Sequence, residues 1–253
     1  MRFAVLGSGS RGNATLIESG ETRILVDCGF RLKELERRLA VLDTRADSIA
    51  AVVVTHEHGD HIAGVARLAA RHRIEVWSSP GTWRAAGCPQ VERLRLFTGH
   101  GRGFRIGDLH LRPIPVPHDA REPCQFVIDG DGRRLGILTD AGTVTPKMCE
   151  ALQDCDAFML EANHDPQMLR SGPYPRSLQQ RVGGPFGHLS NQQAAQLLQA
   201  VRHERLKLVL LSHISEQNNR PDLAIAAVSG VDGGVSASVR VAEQDQVVGW
   251  LAL

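Results

Sequence analysis

Apolar positions fall into short alternating runs over the first third of the chain. Residues 2–7, 14–18 and 22–27 read as strands, with a turn at Ser19–Gly20. Leu32, Leu35 and Leu39 recur at helical spacing and predict a helix over 31–41. Residues 51–55 are apolar and β-branched and predict a buried strand. A helix over 60–72 and a strand over 74–78 follow. Residues 92–116 read as strands broken by a glycine-rich turn near Gly99–Gly103. Residues 124–129 and 134–139 predict a hairpin across Asp129-Gly-Asp-Gly132. Helices over 146–152, 191–203 and 221–229 then alternate with strands over 157–161 and 207–212. Strands over 235–242 and 247–251 close the series. Strands and helices share both halves, which predicts an α/β layered sandwich rather than a doubly wound sheet.

No repeat, charge block or low-complexity tract divides the 253 residues, so a single domain spanning 1–253 is expected. Apolar residues make up 42% and charged residues 23%, which excludes disordered and collagen-like classes. The formal charge of +1 argues against nucleic acid coating the whole surface, but leaves room for a local basic patch. Of 29 basic side chains only Lys33, Lys147 and Lys207 are lysines; arginine suits phosphate, although genome composition explains the bias as well. Cys28, Cys88, Cys124, Cys149 and Cys155 form no Cys-x-x-Cys pair and read as reduced, mostly buried residues. The first residues lack a signal-peptide pattern and no run approaches 18 apolar residues, so a cytoplasmic protein without a membrane span is expected.

Gly7-Ser8-Gly9-Ser10-Arg11-Gly12 fits the dinucleotide fingerprint G-x-G-x-x-G, with Asp27 at the ribose-binding distance. That motif needs a helix starting at the glycines. Residues 13–19 are too short and too β-rich for one, so a turn between antiparallel strands is the better reading.

The densest chemistry lies in Thr55-His56-Glu57-His58-Gly59-Asp60-His61, between a buried strand and a helix. Residues two apart on an extended segment project together, so His56 and His58 can share an ion. Asp60 and His61, in the turn into the helix, can face a neighbouring one. Imidazole and carboxylate suit Zn²⁺ and related first-row metals. His118, Asp140, His213 and Asp27 each follow an apolar strand. Any one alone would read as a turn residue; together they form a set.

In order and spacing this set resembles the metallo-β-lactamase superfamily of metal-dependent hydrolases. The resemblance implies a four-layer αβ/βα sandwich with two divalent ions, Zn²⁺ ahead of Mn²⁺. His56, His58 and His118 would hold one ion; Asp60, His61 and His213 the other. Asp140 would bridge both, and Asp27 would orient ligands from behind. The Gly7–Asn13 turn is similar to a stretch that lies near the site in that family. Glu161 and His188 resemble a Glu–His pair of the tRNase Z branch, in which the histidine protonates the leaving oxygen. Four stretches are closest to the YycJ-like (WalJ-like) branch: Thr55–Gly64, Leu160–Leu169, Gly187–Asn191 and Leu211–Asn219. That branch implies an exonuclease acting on DNA from 5′ ends, through a metal-bridging hydroxide, with Asp60, Glu161 and His188 in the catalytic machinery. Nucleic acid, DNA ahead of RNA, is the expected partner; the oligomeric state is open. Arg93, Arg95, Arg102, Arg105 and Arg112, and Arg170, Arg176 and Arg181, are candidate phosphate contacts. The rival readings are an acyl (thioester) hydrolase of the glyoxalase II type, and a metal-dependent binding protein without turnover.

Overall fold

The structure is a computed structural model and describes residues 1–99, 101, 103–231 and 237–253. Arg102 and the first residues of the strand expected from 235 lie outside the described residues. The first half contains β1 (Arg2–Gly7), β2 (Ala14–Ser19), β3 (Thr22–Val26), α1 (Leu32–Ala40), β4 (Ala51–Val53), α2 (Gly59–Ile62), α3 (Val65–His72), β5 (Glu75–Ser78), α4 (Pro80–Ala85) and β6 (Leu94–Leu96). The second contains β7 (Phe104–Ile106), β8 (Leu109–Pro115), β9 (Cys124–Gly130), β10 (Arg133–Leu138), α5 (Pro146–Ala151) and β11 (Ala157–Glu161). It continues through α6 (Pro166–Ser171), α7 (Arg176–Val182), α8 (Asn191–Val201), β12 (Leu208–Ser212), α9 (Pro221–Ser229) and β13 (Ser238–Val241). The last strand, β14 (Val248–Ala252), returns to the first sheet beside β1.

Two seven-stranded sheets result, β14-β1-β2-β3-β4-β5-β6 and β13-β12-β11-β10-β9-β8-β7. Alternation explains how they stack. In β11 every side chain is buried. Met159 faces the other sheet and joins Phe3, Ile17 and Val53 from it, with Phe126 and Leu210 from its own. Phe158 and Leu160 face outward, under Met148 of α5, Leu197 of α8 and Val228 of α9. A strand buried on both faces is expected where parallel pairing puts helices over it. Leu25 and Val52 play the outward part in the first sheet, under Leu35 and Leu39 of α1 and Leu68 of α3. The order helix, sheet, sheet, helix is the expected sandwich. Each fully buried aliphatic contributes about 1.5–3 kcal/mol.

The expected hairpin is present. Arg133 pairs with Gly130, and the two turn residues Asp131 and Gly132 have φ of 50° and 67°, the two-residue turn that suits twisted strands. Residues 7–13 join antiparallel β1 and β2 with no helix, as expected. One expectation fails over 60–72, where two helices replace one. The break at Ala63–Gly64 lets the chain pass under residues 28–30: a Cβ on Gly64 would lie 2.0 Å from the Phe30 carbonyl oxygen. Helices α4, α6 and α7 are additions. They have six or seven residues, too few to display a helical period. The capping chemistry marks two of them: Ser79 caps α4 and Asp165 caps α6, each followed by proline.

Candidate metal centre

The donors stand where strands stop. Asp27 follows β3, Asp140 follows β10 and His213 follows β12, with φ of 61°, 54° and 51°. Left-handed backbone at a non-glycine residue costs on the order of 1 kcal/mol or more, and such strain concentrates at functional sites. Here the buried surroundings hold it. Asp27 accepts from the Thr55 amide and hydroxyl, both at 2.8 Å, and lies 2.7 Å from His61 Nδ1. The His213 amide donates to Ser8 Oγ at 2.8 Å.

Beyond β4 the chain delivers four donors in six residues. His58 precedes α2, so Asp60 and His61 sit in the first turn of that helix rather than in a turn before it. The rings of His56, His58 and His118 converge, with centroids 4.6, 4.9 and 5.0 Å apart. His61 Nε2 lies 3.4 Å from Asp60 Oδ2 and 3.1 Å from Asp140 Oδ2. His213 Nε2 lies 3.5 Å from Asp60 Oδ2 and 3.4 Å from Asp140 Oδ1. Overlapping groups form: His56 with His58 and His118, and Asp60 with His61 and His213, while Asp140 groups both with His56 and His61 and with Glu161, His188 and His213.

Three buried donor atoms in this cluster, His56 Nε2, His213 Nε2 and Asp140 Oδ2, have no hydrogen-bond partner among the described residues. Leaving such atoms unsatisfied costs about 1–3 kcal/mol each. The opposite ring nitrogens are occupied: His56 Nδ1 meets Thr55 Oγ1 at 3.0 Å, His61 Nδ1 meets Asp27, and His118 Nδ1 donates to the Gly187 carbonyl at 2.9 Å. Backing one nitrogen fixes the ring and frees the other, the arrangement of ligating histidines. The donor set therefore fits divalent first-row metal ions.

The electrostatics agree. Burial, aided by His61, pushes His56 well below the ordinary imidazole value, and burial lowers His118, so both offer neutral rings. Burial also opposes charge on His213, but Asp140 and Asp60 outweigh it and raise that ring to about 9. His61 rises likewise, with Asp140 and Asp27 overcoming burial. Against their own desolvation, Asp140 is lowered by His213 and His61, and Asp60 by the nearness of the same two rings. A field that favours a proton among these carboxylates favours a metal cation in the same place.

Glu161 closes β11 and is fully buried. Its Oε2 accepts from the amides of Ala141 at 2.9 Å and Leu189 at 3.2 Å, while Oε1 meets His188 Nδ1 at 2.8 Å. His188 lies parallel to His213, with centroids 5.2 Å apart, and lines the cleft over the donors. That cleft holds about 330 Å³ and is also lined by Asp60, Asp119, Asp140, Arg181 and Gly187.

A model for the "Beta-lactamase superfamily domain" matches residues 22–214. The chain belongs to the metallo-β-lactamase superfamily. It is a hydrolase of that group, and its two mixed sheets between helices are the superfamily fold. It is 34% identical to exodeoxyribonuclease YycJ of Bacillus anthracis over 236 residues, covering 91% of this chain and 89% of that one. It is 32% identical to exodeoxyribonuclease WalJ of Streptococcus pneumoniae over 250 residues, covering 95% and 93%. The metallo-beta-lactamase fold protein YhfI from Bacillus subtilis superposes with a TM-score of 0.77 at 16% identity, over 97% of both chains. That last likeness concerns the fold.

Every residue expected at the centre is brought to it. The arginines divide. Arg93 and Arg95 reach Glu75 at 2.9 and 3.4 Å, and Arg112 lies 3.5 Å from Asp129; neither they nor Arg105 lines the cleft. Of the second group Arg181 does, holding Asp119 at 2.5 Å. Asp119 was not expected. Its Oδ1 lies 3.5 Å from His118 Nε2 and 3.8 Å from His58 Nε2, so it supports the first cluster. Its one sequence signal is its place beside His118. Asn13, in the anticipated N-terminal turn, donates to Asp60 Oδ2 at 3.1 Å. No helix among the described residues is long and apolar enough to cross a membrane.

Proposed function

We propose that the protein is a metal-dependent phosphodiesterase acting on nucleic acid, a DNA exonuclease working from 5′ ends. The observation that carries this reading is the Glu161–His188 pair beside the donor cluster. His56, His58 and His118 would hold one divalent ion, Zn²⁺ or Mn²⁺; Asp60, His61 and His213 a second; Asp140 both. Such a pair of ions supplies activated water at neutral pH and neutralises phosphate charge.

The remaining work falls to side chains. Asp27 keeps His61 in one orientation, Asn13 steadies Asp60, and the Gly187 carbonyl backs His118. Glu161, immobilised by two amides, accepts from His188 Nδ1. When the ring is doubly protonated, Nε2 carries the second proton, and that proton can pass to the oxygen that leaves phosphorus. An alkoxide is a poor leaving group, so this donor matters more for a phosphodiester than for a thioester. The names of the two curated relatives, 32–34% identical over most of both chains, favour DNA.

The test is a panel of 5′-phosphorylated duplex DNA, single-stranded DNA, RNA, bis-p-nitrophenyl phosphate and a thioester, with Zn²⁺ or Mn²⁺. Release of nucleotides from DNA supports the proposal. Hydrolysis of the thioester with every phosphodiester untouched would overturn it in favour of an acyl hydrolase.

A further inference from the structure

Three large apolar side chains are exposed among the described residues, Val41, Leu96 and Phe186, and Phe186 immediately precedes Gly187 and His188, which line the cleft. It is 59% exposed, yet its backbone is fastened on every side. Its carbonyl accepts from the Asp119 amide at 2.9 Å. The preceding carbonyl, of Pro185, accepts from Thr143 Oγ1 at 3.0 Å; the following one, of Gly187, accepts from His118 at 2.9 Å. The segment is packed tightly as well. A Cβ on Gly142 would lie 2.5 Å from the Pro185 carbonyl oxygen, and one on Gly187 would lie 2.2 Å from the carbonyl oxygens of Arg181 and Val182. A ring held out to solvent from so fixed a base, beside a candidate metal-holding histidine, is presented rather than loose.

Charge distinguishes this wall of the cleft from the opposite one. From Pro166 to His203 the chain has Arg170, Arg176, Arg181 and Arg202 and no aspartate or glutamate. The cavity beyond Ser8, on the other side of His213, is lined by Glu216, Glu243 and Asp245, of which Glu216 and Asp245 are paired with Arg11 at 2.6 and 2.7 Å. A polyanion leaving the centre meets Arg181 of α7 in the cleft wall and no carboxylate in the segment behind it.

We infer that Phe186 is a nucleobase-stacking subsite, with Arg181 of the preceding helix α7 as a phosphate contact, for the nucleotide next to the scissile bond. The inference rests on the phosphodiesterase reading and names how that site recognises a nucleic acid rather than a small diester. Every base has a π-face, so such a platform is tolerant of sequence.

The experiment pairs the protein with its substrate. Wild type, Phe186→Ala and Phe186→Trp are tested on a single-stranded oligonucleotide whose terminal nucleotides carry their bases or are abasic. Binding is read by fluorescence anisotropy in chelator, cleavage by KM in metal. Losing the ring should weaken binding and raise KM roughly tenfold on the intact strand, as removal of one stacking partner does. It should have little further effect on the abasic strand, and Trp should restore affinity. Equal losses on both strands, or none, overturn the inference while leaving phosphodiester cleavage standing. If wild type cleaves no nucleic acid, the functional reading falls and this one with it. A wild-type dimer that Phe186→Ala converts to monomer also overturns it, because the ring would then serve a second copy.

Discussion

Each sheet consists of three antiparallel pairings followed by three parallel ones, so β3 and β10 occupy equivalent switch positions. Both end in a buried aspartate with left-handed backbone, Asp27 and Asp140. The halves then diverge. The first half sends its donors from one loop after β4. The places matching His118 after β8 and His213 after β12 are taken by Ser8 after β1 and Ser79 after β5. The second half places one donor at each of several strand ends. Equivalent geometry thus carries unequal duties: Asp140 faces the clustered rings, while Asp27 stands behind one of them. What decides the difference is the neighbouring residue. Asp27 is saturated by Thr55 and His61, whereas Asp140 Oδ2 is left without a hydrogen-bond partner.

The sharpest way to break this comparison is to neutralise both aspartates in turn. Asp140→Asn should strip metal from both clusters and lower kcat/KM on a phosphodiester by roughly a thousandfold or more, since several kcal/mol of charge stabilisation depend on the ions. Asp27→Asn acts through His61 and should cost about 10–100-fold, the usual range for a residue that orients a ligand. Metal content by elemental analysis and kcat/KM by assay separate the two. Equal losses would mean that Asp27 is itself a ligand and that the switch positions are functionally alike.

Glu161 offers the next contrast, because it ends β11 as the β4 loop ends its own strand, yet it is assigned no metal. His188→Ala should lower kcat by about 10²–10⁴-fold, the span of general acid catalysis, with metal content intact. Loss of metal together with activity would place His188 among the ligands, beside Asp140 Oδ1, which it approaches to 3.4 Å.

The halves were not equally legible. His56, His58, Asp60 and His61 are visible from spacing because one loop carries all four. His118, Asp140 and His213 lie far apart in sequence and became a set through strand ends and family resemblance, because sheet pairing rather than spacing unites them. The sandwich itself was readable from strand runs in both halves. Asp119 is not legible in the sequence, because a carboxylate following a histidine has no pattern of its own and its partner Arg181 is 62 positions away. Helices α4, α6 and α7 show no period because they are too short, and side-chain caps at Ser79 and Asp165 sustain the first two.

Inside the compact first-half loop, two glycines sharpen the picture. Gly64→Ala should destabilise by about 1–3 kcal/mol, because its Cβ meets fixed backbone at Phe30. Gly59→Ala has nothing within 4 Å and lies at the start of α2, so it should be neutral or stabilise by up to about 1 kcal/mol. Denaturant unfolding of the metal-loaded protein reads both. A tolerated Gly64→Ala would show that the four-donor loop does not depend on its tight docking.

The smallest expected effect concerns how the first half is held to the end of the chain. Arg38 donates to the Leu6 carbonyl at 2.6 Å and the Gln244 carbonyl at 2.9 Å, and Glu34 fixes it at 2.6 Å. Hydrogen bonding to Arg37 first, and to Arg38 as well, draws the Glu34 carboxyl from 4.5 down to about 2. A carboxylate with a depressed folded-state value stabilises fully above its unfolded value and loses that contribution as pH falls through the folded one. Wild type should therefore exceed Glu34→Gln in stability above pH 4.5, and the gap should close between 4.5 and about 2. Because Glu34 is more than a third exposed, solvent screening limits the gap to less than about 1 kcal/mol. A gap that persists unchanged to pH 2 would mean that Gln fulfils the same role by hydrogen bonding alone, and that charge has no part in anchoring Arg38 to the ends of β1 and the β13–β14 connection.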